Sequence, residues 1–226
     1  VGPLMDLFHE AKKRAVAPTQ EQIAEAKSKV GFEKLKLDGE NKTVEFAVDG
    51  MRLDLGGIAK GYAIDKAVEA ARSGGALGAM VDIGGDIRCF GSPPEGRENW
   101  LIAVQNPDTA VEPATGGQLL LTLKVADVAV TTSGDYQQYV MIDGKRRSHI
   151  MDRKTGKSAE GLSSVTIIAG NATDADALAT SVSVMGTEKG LALIEEQPNV
   201  EAILISSGPG YKVTKTSGAQ EHVKQD

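Results

Sequence analysis

Leu53-Asp54-Leu55-Gly56-Gly57-Ile58-Ala59-Lys60-Gly61-Tyr62 changes its hydrophobic period midway. Met51, Leu53 and Leu55 alternate as a strand does, and Gly56-Gly57 interrupts them. Ile58 to Arg72 then reads as a helix in which Ala63, Ala67 and Ala70 permit close packing, stopped by Gly74-Gly75. Immediately upstream, Val44, Phe46 and Val48 share one side of a strand from Thr43 to Val48, and Asp49-Gly50 is a strong hairpin signal. The stretch predicts an antiparallel hairpin whose second strand passes through a glycine turn into a helix.

Working outward, Thr19 and Gln22 form a capping-box pattern for a helix from Gln20 to Val30, ended by Gly31. Further strands are expected at Ala79 to Ile83, Trp100 to Val104, Leu119 to Val125, Val128 to Thr131, Tyr139 to Ile142, Leu162 to Ala169 and Val200 to Ser206. Gly84-Gly85 and Asp143-Gly144 are turns, and Asn106 to Gly117 reads as a surface loop. Small residues dominate a helix from Asp174 to Met185, and a second helix runs from Glu188 to Glu196. The economical fold is one α+β domain over residues 1–206, a largely antiparallel sheet with packed helices, followed by a polar tail from Ser207 to Asp226.

Composition narrows the function. The 226 residues carry 25 Lys plus Arg against 31 Asp plus Glu, a net charge of -6, which disfavours a general attraction to nucleic acid or anionic lipid. Any phosphate must be met by a local device. No run approaches the roughly 20 apolar residues of a membrane-spanning helix. The single cysteine, Cys89, excludes an internal disulfide and a cysteine zinc cage.

Three segments could carry chemistry. Glycines between a strand and a helix let backbone N–H groups approach an anion such as a diphosphate, with Lys60 adding a charge, although a plain sharp turn explains Gly56-Gly57 equally well. Asp176 and Thr180 stand four apart on one helical face, hard oxygens suited to Mg²⁺ or Ca²⁺. Taken alone, a capping box from Thr173 to Asp176 accounts better for that acid. Ser148-His149-Ile150-Met151-Asp152 sets a histidine beside an acid, a candidate base, though a solvated surface histidine is commoner. Gly156-Lys157-Ser158 lacks the earlier glycine of a P-loop, and Ser133 sits in no nucleophile elbow, so both are set aside.

Five motifs in order, Leu53 to Asp65, Val81-Asp82-Ile83-Gly84-Gly85-Asp86-Ile87, Thr132-Ser133-Gly134-Asp135-Tyr136, Ser148 to Asp152 and Ala175 to Thr180, resemble the ApbE family of FAD:protein FMN transferases. The resemblance extends to about Ser206. It implies an enzyme using Mg²⁺, or Ca²⁺ or Mn²⁺ in its place, that splits the diphosphate of FAD. The FMN half passes to a Thr or Ser hydroxyl of an acceptor subunit of a membrane-bound redox complex, with release of AMP. By motif, Asp54, Lys60 and Ile150 fall on FAD-contacting positions and Gly57, Asp176 and Thr180 on metal-binding ones. His149 matches the histidine that assists the attacking hydroxyl. The resemblance also implies a periplasmic or extracytoplasmic setting and an upstream segment bearing a lipid anchor. A metal-dependent FAD pyrophosphatase or a flavin-binding protein without catalysis are the alternatives. Thr216-Ser217-Gly218-Ala219 loosely matches the acceptor motif of such transferases, yet the expectation is a disordered tail that carries no covalent flavin.

Overall fold

The alternating and 3.6-residue patterns resolve into two compact units, one of Val1–Leu55 with Gln138–Ala159 and a larger one of Gly56–Gln137 with Glu160–Asp226. The structure, a computed structural model, describes residues 1–94, 96–107, 118–135, 139–142, 145–208 and 210–225. The sequence-predicted turn at Asp143-Gly144, Tyr136 and most of the Asn106 to Gly117 loop lie outside the described residues.

The smaller unit opens with α1 (Gly2–Arg14), α2 (Gln20–Ser28) and strands β1 (Leu35–Asp38) and β2 (Thr43–Phe46). The larger unit begins with α3 (Ala59–Ser73) and continues through β3 (Ala79–Ile83), β4 (Asp86–Phe90), β5 (Trp100–Gln105), β6 (Leu119–Val125) and β7 (Ala129–Gly134). The smaller unit resumes with β8 (Tyr139–Ile142), β9 (Lys145–Ser148), β10 (Met151–Asp152) and β11 (Lys157–Ser158). The larger one ends with β12 (Leu162–Ala169), α4 (Ala172–Met185), α5 (Thr187–Glu195), β13 (Glu201–Ser206) and β14 (Val213–Lys215). The fold is α+β, and every strand pairing among the described residues is antiparallel.

In the larger unit the strands β14-β13-β12-β7-β4-β3 form one six-stranded sheet. Side chains alternate across it, so it buries two different layers. On one face Ala129, Val165, Ile167 and Leu204 pack with Ile64 of α3, Ala172, Ala175, Ala179 and Val182 of α4, and Ile194 of α5. On the other, Cys89, Val130, Ile168 and Ile203 pack with Ile102, Val104, Leu123 and Val125 of the β5–β6 hairpin. All eight residues of β12 are buried, Ser163, Ser164 and Thr166 among them, as a central strand covered on both faces requires. The smaller unit gathers its own cluster from Phe8, Ala11, Val140 and Ile142.

The α2 capping box forms as expected: Thr19 Oγ1 accepts the Gln22 N–H and Gln22 accepts the Thr19 N–H. Three expectations are overturned. The hairpin joins β1 to β2, with Leu37 opposite Val44, rather than joining Thr43 to Val48 with Met51 to Leu55. The Asp38 carboxylate decides this by accepting the N–H groups of Glu40 and Asn41 and the Asn41 side-chain amide, which closes an Asx turn. Asp49-Gly50 still turns the chain, with Gly50 at φ 77°, but no strand follows it. α4 is capped by Asn171, whose Oδ1 accepts the Asp174 N–H at 2.8 Å, so Thr173 and Asp176 form no capping box.

The last correction concerns Ser207 to Asp226. Rather than thinning into a disordered tail, it adds β14 to the sheet edge and buries Thr216 and Ala219, and Val223 bridges to Leu123. Its anchors are carboxylates far back in the chain. Glu201 accepts from the Thr216 hydroxyl, and Glu195 accepts from the Ser217 N–H and hydroxyl at 2.8 and 2.9 Å. Local composition cannot announce partners of that kind.

Candidate functional site

α3 begins without a side-chain cap at Ile58, so its first N–H groups depend on what else is brought to them. What reaches them is α4. The Asp176 carboxylate, 3% exposed, accepts the Gly61 N–H at 3.0 Å. Four residues earlier, in the turn that leads into α3, a Cβ placed on Gly57 would lie 2.8 Å from Thr180 Oγ1, so only glycine admits the threonine this closely. The structure thus brings Gly57 to Thr180 and Asp176 to Gly61.

The electrostatics suit a cation. Burial pushes the Asp176 carboxyl up from its ordinary value; the Gly61 N–H opposes this, the neighbouring Asp86 charge adds to it and Lys60 counters. A carboxylate held in that way is stabilised by any positive charge that arrives. Thr180 Oγ1 lies 3.5 Å from Ser133 Oγ on β7, within reach of a weak hydrogen bond. No group of three or more His, Cys, Asp or Glu stands together among the described residues. The available donors are therefore hard oxygens of mixed kind, a carboxylate, a hydroxyl and backbone carbonyls, which fits Mg²⁺ or Ca²⁺ far better than zinc.

Lys60 projects from the first turn of α3 and sets its Nζ 2.6 Å from Asp86 Oδ2. Asp86 Oδ1 accepts the Thr132 N–H at 3.1 Å, which ties the start of β4 to β7. Oδ2 has no aligned hydrogen bond, so the lysine supplies charge rather than a directed donor. Sequence reasoning passed over Asp86 as a site residue. Its signal was present: Asp86 and Arg88 alternate on one face of a strand that follows a glycine pair, an unusual place for two charges.

Asp54, His149 and Ile150 belong to the smaller unit, whereas Gly57, Lys60, Asp176 and Thr180 belong to the larger one. Asp54 is exposed, at the end of a stretch without regular structure. His149 is half-buried between β9 and β10. Its neighbours are fixed: the Ile150 N–H donates to Ser148 Oγ, the Ile150 carbonyl accepts the Ala159 N–H, and the Ser158 hydroxyl donates to the Ser148 carbonyl. Ile150 itself is 7% exposed. The Asp152 carboxylate accepts the Lys154 N–H and serves the following turn.

A sequence model of the ApbE family matches residues 1–204. The chain is 35% identical over 237 aligned residues to the FAD:protein FMN transferase of Treponema pallidum, covering 99% of this chain and 64% of that protein. It is 36% identical to the enzyme of the same name from Haemophilus influenzae, covering 97% of this chain and 63% of that one. It therefore spans somewhat under two thirds of the length of these relatives. Among solved structures, the ApbE protein of Thermotoga maritima superposes with a TM-score of 0.86 at 33% identity, over all of this chain and 71% of that one. The flavin transferase ApbE of Vibrio cholerae gives 0.81 at 31% identity, over 98% and 69%.

Proposed function

The chain belongs to the ApbE family, and from that premise we propose that it acts as a magnesium-dependent FAD:protein FMN transferase. The observation that carries this reading is the buried, charge-seeking Asp176 carboxylate held at the glycine turn together with Thr180. Asp176, Thr180 and the Gly57 carbonyl would hold the ion. Bound there, it would neutralise the diphosphate of FAD and polarise the phosphorus under attack.

The remaining work falls to the protein's own groups. The N–H groups opening α3 orient a phosphate oxygen, and Lys60 adds positive charge while keeping its tie to Asp86. Asp54 and Ile150 bind the flavin substrate. His149 accepts the proton of an incoming Thr or Ser hydroxyl, whose oxygen bonds to the FMN phosphorus as the phosphorus–oxygen bond to AMP breaks. The acceptor is a subunit of a membrane-bound redox complex, and the reaction takes place outside the cytoplasm.

The test is to incubate the chain with FAD, Mg²⁺ and an acceptor domain and to weigh the acceptor. A gain equal to FMN is expected, and His149→Ala should reduce it at least about 100-fold while FAD binding changes little. AMP and free FMN without that gain would mean a pyrophosphatase, and unchanged FAD a binding protein.

A further inference from the structure

Asp65 lies on α3, four residues beyond Gly61 and so on the same face, and is 7% exposed. Its carboxylate is saturated by other elements. Oδ1 accepts from the Ala172 N–H at 2.9 Å and from the Arg88 guanidinium at 2.6 Å. Oδ2 accepts from the Thr173 N–H at 2.9 Å and from the Thr173 hydroxyl at 2.5 Å. Ala172 and Thr173 open α4, where backbone N–H groups have no partner within the helix. A carboxylate of α3 therefore caps α4 from the side.

The converse holds one turn along, where Asp176 of α4 accepts the Gly61 N–H in the first turn of α3. The two helices exchange carboxylates. A ladder of three rungs results, Asp65 with Ala172, Gly61 with Asp176 and Gly57, just before α3, with Thr180, descending by four residues along one segment as it rises by four along α4. Gly61 lets the helices close: a Cβ there would stand 2.1 Å from the Ala172 carbonyl oxygen, a backbone atom that cannot step aside. Two fixed rungs set both the slide and the rotation of α4 on α3, and the third follows from them.

We infer that Asp65 is a positioning residue for the cation site proposed above, holding the start of α4 so that Asp176 and Thr180 meet the glycine turn at the right rung. The inference rests on the metal reading of those two residues. Asp65 touches no reacting atom and works through the register of the helices.

The full chain is compared with Asp65→Asn, with Thr173→Val, which removes one donor and leaves the carboxylate, and with Val182→Ala, a buried α4 change outside the ladder. The first readout needs no metal. Exchange of the Gly61 amide, measured by NMR relative to the Ile167 amide of β12, should quicken about tenfold in Asp65→Asn and remain unchanged in Val182→Ala. The second is titration with Mn²⁺ alone, followed by electron paramagnetic resonance. Binding should weaken about tenfold in Asp65→Asn, less in Thr173→Val, and not at all in Val182→Ala even where thermal stability falls equally. If Asp65→Asn does not fold, Thr173→Val carries both readouts. Unchanged Gly61 exchange, or a loss of Mn²⁺ affinity matched by Val182→Ala, overturns the inference. A parent chain that bound no Mn²⁺ would overturn the metal reading itself, and the Gly61 exchange would still decide whether Asp65 sets the register.

Discussion

Lys60 places its ammonium 2.6 Å from the Asp86 carboxylate, whose side chain is 2% exposed while that of the lysine is 39% exposed. The two partners are therefore unequal: the lysine can lose its neighbour and be solvated, whereas the aspartate cannot. Lys60→Met should cost about 2 kcal/mol in denaturant unfolding, less than the about 3–5 kcal/mol of a fully buried pair because water reaches Nζ. Adding Asp86→Asn removes the orphaned charge, so the double variant should be more stable than Lys60→Met alone. Strictly additive losses would contradict this account.

Asp176→Asn should stabilise the metal-free chain. Burial raises the folded-state pKa of this carboxyl, so its contribution is fully present below the unfolded value and is lost as the pH rises through the folded one. Above that window the ionised group is a cost, whereas an asparagine oxygen can still accept the Gly61 N–H. The thermal midpoint of the variant at pH 7 should exceed the parent's by a few degrees, on the order of 1 kcal/mol, with the gap closing towards pH 4. Stabilisation by added Mg²⁺ should disappear. A lower midpoint at pH 7 would count against the electrostatic picture.

Gly57→Ala forces a methyl group against the Thr180 side chain, which offers three atoms within 3.1 Å. The threonine must move, and it is the proposed ligand. FMN transfer should fall at least about tenfold and the Mg²⁺ requirement should rise, with a stability loss of about 1–3 kcal/mol. Pairing it with Thr180→Ser, which removes the Cγ2 contact, should restore part of the activity. Full activity in Gly57→Ala alone would show that Thr180 is not needed where it stands.

Thr216 is buried and its hydroxyl is already committed to other partners, so it should not accept FMN. Its hydroxyl donates to Glu201 and accepts the Ala202 N–H at 2.9 Å, and the residue is 3% exposed. After incubation with FAD and Mg²⁺ the intact mass should be unchanged. Thr216→Val, which keeps the shape and loses those bonds, should cost about 1–3 kcal/mol.

The sequence made some of this plain and hid the rest for physical reasons. β6, β8 and β12 match their expected bounds, because turn-forming residues in the sequence mark where each hydrophobic segment stops. The pairing of β1 was hidden, since Leu35-Lys36-Leu37-Asp38 is short and its register is set by the Asp38 side chain rather than by a glycine turn. In the site, the four-residue spacing of Asp176 and Thr180 identified one helix face. What that face meets depends on Gly57, Gly61 and Asp65, more than 100 positions away in sequence. Asp86 left a trace, a charge alternating with Arg88 along a strand, but the role of its carboxylate comes from the lysine placed over it, which the spacing alone does not show.

The order of strands in the six-stranded sheet governs how this protein can emerge from the ribosome. β12, buried on both faces, lies between β7, made well before it, and β13, made well after it. Until Ser206 has been synthesised, one edge of this fully buried strand stands open, and α4, whose first turn completes the Asp65 clasp, has only half a sheet beneath it. The larger unit therefore closes late and through distant pairings, which makes for slow folding with a sticky intermediate. Nascent chains stalled before β13 should depend on chaperones, whereas those that include β14 should not.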